Sequence, residues 1–191
     1  MAESRPLGPG DALLVVDVQN DFCPGGALPV DEGDQVVPIL NEWVREAVRK
    51  GAFLVATRDW HPPHHVSFRE RGGPWPPHCI QGTSGAEFHP DLELPEQGLV
   101  VSKGDDPDEE AYSAFDGTGL EHVLKERGIG RVFVGGLTQD VCVRATVLHA
   151  LDQGLETHVL VDGTRPVDPE EGKRALREME ERGAHIRRGV P

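Results

Sequence analysis

Cys142 is a candidate nucleophile because of the residues on either side of it. Residues 132–134 form a short apolar run that ends at Gly135 and Gly136, a pattern typical of a buried parallel strand. Apolar residues at helical spacing follow, so we expect Cys142 in the first turn of a helix just beyond that strand. A helix amino terminus favours a thiolate, and its free N–H groups can hold the oxygen of an attacked carbonyl. The alternative is a small buried apolar side chain, the commoner role of a lone cysteine.

Asp17 and Lys103 stand at the ends of two other predicted strands. Asp17 follows the apolar run 12–16, and Lys103 follows the run 99–102. Because open α/β sheets bind their ligands at the carboxyl ends of the strands, we expect both side chains near Cys142. A capping aspartate and a solvated loop lysine are the alternatives for these two residue types.

One carboxylate and two histidines have a spacing that suits a metal site. In an extended segment Asp59 and His61 project from the same face, because strand side chains alternate, and a proline-rich loop then presents His78. Two imidazoles and a carboxylate with open positions suit Zn²⁺, Fe²⁺ or Mn²⁺. His64 and His65 are adjacent in sequence, so at most one of the two side chains can face the predicted metal site. A salt-bridged aspartate and histidines in a hydrated loop are the alternatives.

Three aromatic side chains lie in the loops around these candidates. Phe22 stands among polar residues after the first strand, Trp75 lies in the proline-rich loop, and Tyr112 lies between small residues in a later loop. Phe22 is a candidate wall of a binding site, Trp75 lies beside His78, and the loop with Tyr112 is expected to pack over the mouth of the sheet. For Phe22 the commoner alternative is a hydrophobic plug beneath its loop.

The elements that would position these residues alternate between strands and helices. Apolar runs predict six short strands, at residues 12–16, 53–57, 99–102, 131–135, 157–161 and 184–186. Helical spacing predicts helices at residues 34–50, 118–127 and 168–182, and one from near Cys142 to Gly154. Thr118 is the expected cap of the second helix. This alternation predicts a single three-layer α/β/α domain over residues 1–191, with a mostly parallel central sheet of about six strands.

Charge and cysteine content limit the partners and the compartment. The formal net charge of −14 argues against binding to nucleic acids or anionic membranes. We expect neither a signal peptide nor a membrane span, because no apolar run is long enough. The 3 cysteines are an odd, scattered set, which fits a reducing compartment better than a disulfide framework. We therefore expect a cytoplasmic protein that acts on a small, neutral substrate.

Five segments of the chain follow one another in an order that a known family shares. They are residues 16–22, 58–62, 75–79, 103–115 and 136–143. In this order they resemble the motifs of the pyrazinamidase/nicotinamidase family, within the isochorismatase-like cysteine hydrolase superfamily. Each motif is weak by itself, but five together are highly specific, and they cover most of the chain.

The resemblance implies an amidase that hydrolyses nicotinamide, and pyrazinamide as well, through a thioester on a cysteine, with a role in NAD salvage. It implies catalytic roles for Asp17, Lys103 and Cys142. Backbone N–H groups of Thr138 and Cys142 would form the oxyanion hole, after a cis peptide bond between Leu137 and Thr138.

The resemblance also implies a metal ion and a pocket for a flat ring. The cofactor would be one divalent ion, zinc first, with iron and manganese as alternatives. Its ligands would be Asp59, His61 and His78, with His65 as a candidate fourth. The substrate pocket would contain Phe22, Trp75 and Tyr112. Relatives are often oligomeric, so we also expect a homo-oligomer.

Two other functions stay open at this level. One is a different metal-dependent aryl-amide hydrolase of the same superfamily. Within that superfamily, isochorismatases lack the nucleophilic cysteine and metal-free amidases lack the metal-binding residues, so Cys142 and Asp59 with its histidines disfavour those two groups. The other is a metal-binding or interaction protein that kept the scaffold, which the intact set of Asp17, Lys103 and Cys142 disfavours.

Overall fold

A six-stranded sheet with helices on both faces makes up the protein, and the computed structural model describes residues 5–191. The strands are β1 (Asp11–Val16), β2 (Phe53–Asp59), β3 (Leu99–Lys103), β4 (Arg131–Leu137), β5 (Glu156–Arg165) and β6 (His185–Arg187). The α-helices are α1 (Val36–Lys50), α2 (Leu120–Glu126), α3 (Arg144–Asp152) and α4 (Pro169–Glu181).

The strands are ordered β3-β2-β1-β4-β5-β6, and each neighbouring pair is parallel. Alternate residues of β1 enter two separate cores. Leu13 belongs to the core that contains the inner face of α1, and Leu14 to the core that contains the inner faces of α2, α3 and α4. The predicted three-layer α/β/α fold with a parallel sheet of six strands is confirmed. Within residues 5–191, none of the helices combines the length and apolar character needed to cross a membrane.

Several predicted boundaries differ from the observed ones, as for β2 and β4, which each continue two residues further. Two of the differences have clear local reasons. The strand predicted at 157–161 extends through Glu156–Arg165, beyond a register shift against β4 at Gly136. The predicted cap Thr118 is displaced by Gly119, whose φ of 73° turns the chain into α2. The Thr118 hydroxyl still accepts a 3.3 Å hydrogen bond from the N–H of Leu120. Glycine reaches this left-handed conformation without steric cost, and threonine does not.

The carboxyl ends of the central strands meet at one edge of the sheet. Val16 of β1 pairs with Gly136 of β4, and Asp59 of β2 pairs with Lys103 of β3. Gly136 has a φ of 123°, and a Cβ there would overlap the carbonyl group of Val16. Only glycine permits this close approach of β1 and β4. Asp17, the residue after β1, therefore lies at the same edge as Asp59 and Lys103.

Candidate active site

Lys103 lies at the centre of a buried group of charged and nucleophilic side chains. Its Nζ lies 2.8 Å from Asp17 Oδ2 and 2.6 Å from Asp59 Oδ1. The same nitrogen lies 3.5 Å from the sulfur of Cys142. All four residues are buried. The three residues predicted to be catalytic thus come together from the end of β1, the end of β3 and the turn that follows β4.

One carboxylate oxygen of Asp17 is held by a hydrogen bond, and the other is able to accept a proton. Its Oδ1 accepts a 2.7 Å hydrogen bond from the hydroxyl of Thr57. Its Oδ2 lies beside Lys103 but accepts no hydrogen bond of normal geometry from the residues that the structure describes. Burial raises the pKa of Asp17 above the ordinary value of an aspartate and outweighs the lowering by Lys103. Asp17 is therefore well suited to accept and release a proton.

The other two charged residues of the group, Asp59 and Lys103, both favour their charged forms. Burial by itself would raise the pKa of Asp59, but the Lys103 ammonium holds it well below its usual range. Burial by itself would lower the pKa of Lys103, but the two carboxylates raise it well above its ordinary value. Asp59 and Lys103 are thus permanently charged, whereas Asp17 can titrate.

Cys142 is a thiol in the resting protein. It lies in a single π-helical turn, Gln139–Val143, that leads into α3. Burial raises the pKa of Cys142 well above its ordinary value, although Lys103 lowers it. Desolvation thus opposes the favourable effect that the end of a helix has on a thiolate, and it favours the thiol form at rest. Attack by this sulfur needs a base, and an Asp17 oxygen lies within 4.8 Å of it.

A second group of ligand atoms shares Asp59 with the first. One atom each of Asp59, His61 and His78 lies within 4.8 Å of the others, and all three residues are buried. Asp59 Oδ2 lies 3.5 Å from His61 Nε2 and 3.7 Å from His78 Nε2. Because its Oδ1 faces Lys103, Asp59 connects the predicted metal ligands to the catalytic group.

Backbone carbonyls set the tautomers of both histidines. His61 Nδ1 lies 2.7 Å from the carbonyl of Gly104, and His78 Nδ1 lies 2.8 Å from the carbonyl of Pro76. A carbonyl can only accept, so each Nδ1 carries the proton and each Nε2 keeps its lone pair. Those lone pairs belong to the atoms nearest Asp59. This arrangement of two N donors and one carboxylate, each histidine supported by a carbonyl, fits a divalent metal ion.

His65 lies close to these ligands, but its nitrogens are engaged elsewhere. Its ring stacks on His61 with centroids 4.1 Å apart. Its Nε2 lies 2.9 Å from the carbonyl of Glu109, and its Nδ1 lies 2.7 Å from the hydroxyl of Ser67. Nε2 must donate to that carbonyl, so Nδ1 is the acceptor. In this arrangement His65 supports the ring of His61 and directs no free lone pair at the other three ligands.

A pocket opens over both groups, and its empty space is about 430 Å³ with the open solvent at its mouth included. Aromatic side chains line its walls, and Cys142 and the three predicted metal ligands line its base. The wall residues predicted from the sequence, Phe22, Trp75 and Tyr112, all belong to the lining. Trp75 Nε1 donates a 3.2 Å hydrogen bond to the hydroxyl of Tyr112, which joins two separate loops across the pocket. The cavity suits a small, flat molecule with a polar group.

Thr138 lies in the pocket lining beside Cys142. The peptide bond between Leu137 and Thr138 is cis, as the resemblance implied. The carbonyl of Thr138 accepts hydrogen bonds from the N–H groups of Val141 and Val143 at 3.2 and 3.0 Å, which closes the turn around the cysteine. This turn holds the backbone of Thr138 and the sulfur of Cys142 against the same cavity.

The sequence matches a family model described as the isochorismatase domain, over residues 11–189. The chain is 38% identical to a nicotinamidase of Escherichia coli, over 93% of this chain and 94% of that protein. The chain belongs to the isochorismatase family. It is also 42% identical to a nicotinamidase/pyrazinamidase of Mycobacterium tuberculosis, over 88% of this chain and 93% of that protein.

Solved structures resemble this isochorismatase-family chain along nearly its whole length. A pyrazinamidase of Pyrococcus horikoshii in complex with zinc has a TM-score of 0.92 and 52% identity, covering 95% of this chain and 100% of that one. A protein called PnC1 from L. infantum, in complex with nicotinate, has a TM-score of 0.88 and 36% identity, with 96% of each chain covered. The resemblance inferred from the motifs is confirmed.

Two buried residues that contact the site of this isochorismatase-family chain carried no predicted role. Thr57 bonds to Asp17, and Gln19 bonds to the backbone of Asp59. Thr57 lies two positions before Asp59 on the same strand, but only the register of β1 against β2 brings it to Asp17. Gln19 lies within a motif segment, yet nothing in the sequence indicates its partner.

Proposed function

We propose that this chain is a nicotinamidase, which hydrolyses nicotinamide to nicotinate and ammonia through a thioester on Cys142. The observation that carries the proposal is the contact of Lys103 with Asp17, Asp59 and Cys142 at the base of an aromatic pocket. The names of the similar proteins, nicotinamidases and pyrazinamidases, support the same reaction.

Asp17 is the proposed general base for the first half of the reaction. It takes the proton of the Cys142 thiol, and the sulfur then attacks the carboxamide carbon. The negative oxygen that forms is stabilised by backbone N–H groups of Thr138 and Cys142. Asp17 next gives its proton to the nitrogen of the leaving group, so that ammonia departs and a thioester remains.

In the second half Asp17 acts on water. As a carboxylate again, it removes a proton from a water molecule that attacks the thioester carbon. The carbon–sulfur bond breaks, the sulfur recovers a proton from Asp17, and nicotinate is released. Lys103 keeps its positive charge throughout and offsets the negative charge that moves between Asp17 and Cys142.

Asp59, His61 and His78 are the proposed metal ligands. When bound, a divalent ion would supply a Lewis-acidic contact that orients and polarises the substrate through its ring nitrogen. Two imidazoles and a carboxylate accept zinc, iron or manganese. Zinc is the first candidate, supported by the zinc complex of the similar pyrazinamidase from Pyrococcus horikoshii.

Phe22, Trp75 and Tyr112 are proposed to flank the substrate ring. Their positions around the pocket fit a flat heteroaromatic amide. Pyrazinamide has the same carboxamide on a similar ring, and the relative from Mycobacterium tuberculosis carries both activities in its name. We therefore expect both amides to be substrates. A cytoplasmic location is also proposed, because Cys23, Cys79 and Cys142 are all free thiols.

An ammonia-release assay on the purified protein, with metal content measured on the same sample, tests the function. Cys142→Ala should lower turnover of nicotinamide by roughly 10³-fold or more, because it removes the sulfur that lies beside Lys103 and lines the pocket. Cys23→Ala is the matched control, since burial raises the pKa of that thiol to about 11 and it lies outside the pocket lining.

The same assay can contradict the proposal in two ways. Retained turnover in Cys142→Ala would reject the nucleophile. Metal-loaded protein that releases no ammonia from nicotinamide, but hydrolyses another aryl amide in the same panel, would support a different hydrolase of the superfamily.

A further inference from the structure

Gln19 makes three hydrogen bonds at the point where the proposed metal site and catalytic group meet. Its Nε2 donates to the carbonyl of Asp59 at 2.8 Å, and its Oε1 accepts from the N–H of Asp59 at 2.9 Å. The same Nε2 donates to the carbonyl of Ala86 at 2.9 Å. The side chain is completely buried. We propose that Gln19 is a positioning residue that sets the metal affinity of the site through Asp59.

The amide of Gln19 replaces a strand partner that β2 would otherwise lack. Pairing of β1 with β2 ends at Val16 and Thr57, but β2 continues to Asp59. On the side of β1, the backbone of Asp59 therefore has no neighbouring strand. A side-chain amide that donates to its carbonyl and accepts from its N–H reproduces the pattern of a sheet. Gln19 thus extends the ladder to the last residue of β2.

The position of this backbone matters because both oxygens of Asp59 are committed. Oδ1 lies 2.6 Å from Lys103 Nζ, and Oδ2 lies 3.5 Å from His61 Nε2 and 3.7 Å from His78 Nε2. A rotation of the Asp59 backbone would move Oδ2 away from the histidines. It would also leave a buried N–H and a buried carbonyl without partners.

The hydrogen bond to Ala86 fixes the amide of Gln19 to a second segment of the chain. Ala86 is fully buried and lies at the end of a short helical turn, Ser84–Ala86. Gln19 is therefore held by a second segment of chain while it holds Asp59. Groups outside the first ligand shell that fix a ligand in this way typically contribute 10–100-fold to metal affinity.

The inference rests on the proposed metal site, and its test does not use turnover. Zinc is titrated into metal-free protein in competition with a chromophoric chelator. Gln19→Met keeps an unbranched side chain of similar length but removes the three hydrogen bonds. We expect its zinc dissociation constant to rise by about 10–100-fold relative to the unmodified protein.

The chain offers a matched control in Asn41. Its buried amide makes a similar pair of hydrogen bonds to a segment that touches none of the proposed metal ligands, donating to the carbonyl of Asp91 at 2.8 Å and accepting from the N–H of Glu93 at 2.9 Å. Asn41→Leu should lower the melting temperature, as Gln19→Met does, but leave the zinc dissociation constant unchanged. A purely structural role of Gln19 would give the two variants the same zinc affinity.

Two outcomes would overturn the inference. One is a Gln19→Met protein that is folded by circular dichroism and binds zinc as tightly as Asn41→Leu. If Gln19→Met does not fold, Gln19→Glu is measured instead, since it keeps the acceptor for the Asp59 N–H and loses the donor to its carbonyl. Unchanged zinc affinity in Gln19→Glu would also overturn it. Failure of the proposed function would appear separately, as absent ammonia release by the unmodified protein.

Discussion

Two buried carboxylates beside one ammonium have opposite properties in this site. Asp59 faces the Lys103 ammonium, whose charge outweighs burial, so its pKa lies well below the usual range. Asp17 accepts one hydrogen bond from a hydroxyl and is buried outside the pocket lining, and this burial raises its pKa. Pairs of acids whose surroundings separate their pKa values are a common way to assign acid and base roles. On this basis we propose Asp17 as the proton carrier and Asp59 as the carboxylate that stays charged.

The hydrogen bond from Thr57 to Asp17 predicts a change in the pH profile. Burial raises the pKa of Asp17, whereas Lys103 and the Thr57 hydroxyl lower it. Asp17 must be unprotonated to act as a base, so activity falls as the pH drops through its pKa. Thr57→Val removes one stabiliser of the charged form, which should raise that pKa. The acid limb of the profile of kcat/KM against pH should therefore shift to higher pH.

Thr157 provides the control for this measurement. It is a buried threonine near the amino end of β5, at the edge of the sheet opposite the site, and its hydroxyl bonds to the carbonyl of Leu155. Thr157→Val should leave the acid limb where it is in the unmodified protein. An acid limb that does not move in Thr57→Val, with fold and metal content preserved, would mean that Asp17 is not the titrating base. The apparent value belongs to the coupled group as a whole.

At the scale of elements, the turn after β3 is shaped by the ring of His61. Gly104 has a φ of 68°, and a Cβ there would lie 2.5 Å from Cε1 of His61. The carbonyl of Gly104 also accepts the hydrogen bond that sets the tautomer of that histidine. Gly104→Ala should therefore displace His61 and weaken zinc binding by about tenfold or more, measured by chelator competition.

Gly117 is the control that distinguishes contact with the His61 ring from ordinary backbone strain. It has the same φ of 68°, but no atom lies within 4 Å of its added Cβ. Both substitutions to alanine carry the cost of a left-handed conformation, and only the one at Gly104 meets the ring. Equal zinc affinity in Gly104→Ala and Gly117→Ala would contradict the proposed contact.

The element that holds the nucleophile was predicted only in part. Apolar spacing predicted a helix that begins near Cys142, and α3 does follow it at Arg144. The residues around the cysteine instead form the π-helical turn Gln139–Val143. Asp140 in this turn accepts hydrogen bonds from the N–H groups of Val167 and Asp168, the latter being the cap of α4. A contact between segments so distant in sequence is absent from the local pattern.

At the scale of the whole molecule, a buried ion pair at the edge of the sheet opposite the pocket contributes to the stability of the fold. Asp11 begins β1 and Arg131 begins β4, and the two are paired in register. Arg131 donates to Asp11 at 3.0 and 2.6 Å, and both side chains are almost fully buried. Removing Asp11 leaves the buried charge of Arg131 with two backbone carbonyls and the half-exposed Glu156, 3.9 Å away, as its remaining partners. Asp11→Ala should therefore lower the free energy of unfolding by about 3–5 kcal/mol.

Urea unfolding checks this value, with Asp152→Ala as the control. Asp152 pairs with Arg182 at the surface, where both side chains are about half exposed, so its loss should leave the stability nearly unchanged. The kcat/KM of folded Asp11→Ala should equal that of the unmodified protein, because the ion pair lies at the edge away from the pocket. Equal stability of the two variants would contradict the role assigned to the buried pair.

The sequence by itself determined the fold class and the candidate residues. Apolar runs and helical spacing are local properties of the chain, and they predicted six strands, four helices and a three-layer arrangement. Asp17 and Lys103 were selected because they follow predicted strands, whose ends meet in a parallel sheet. Asp59 was selected because it shares a face with His61 in an extended segment. The family resemblance also came from short contiguous segments.

Only the tertiary structure decided how these residues divide the chemistry. The protonated state of Cys142 and the different pKa values of Asp17 and Asp59 arise from desolvation, which exists only after distant segments have packed together. The support that Gln19 gives to Asp59 likewise needs β2 to extend beyond β1 in the assembled sheet. The type of a residue limits the reactions that its side chain can perform. Its surroundings in the fold determine its protonation state and therefore its role.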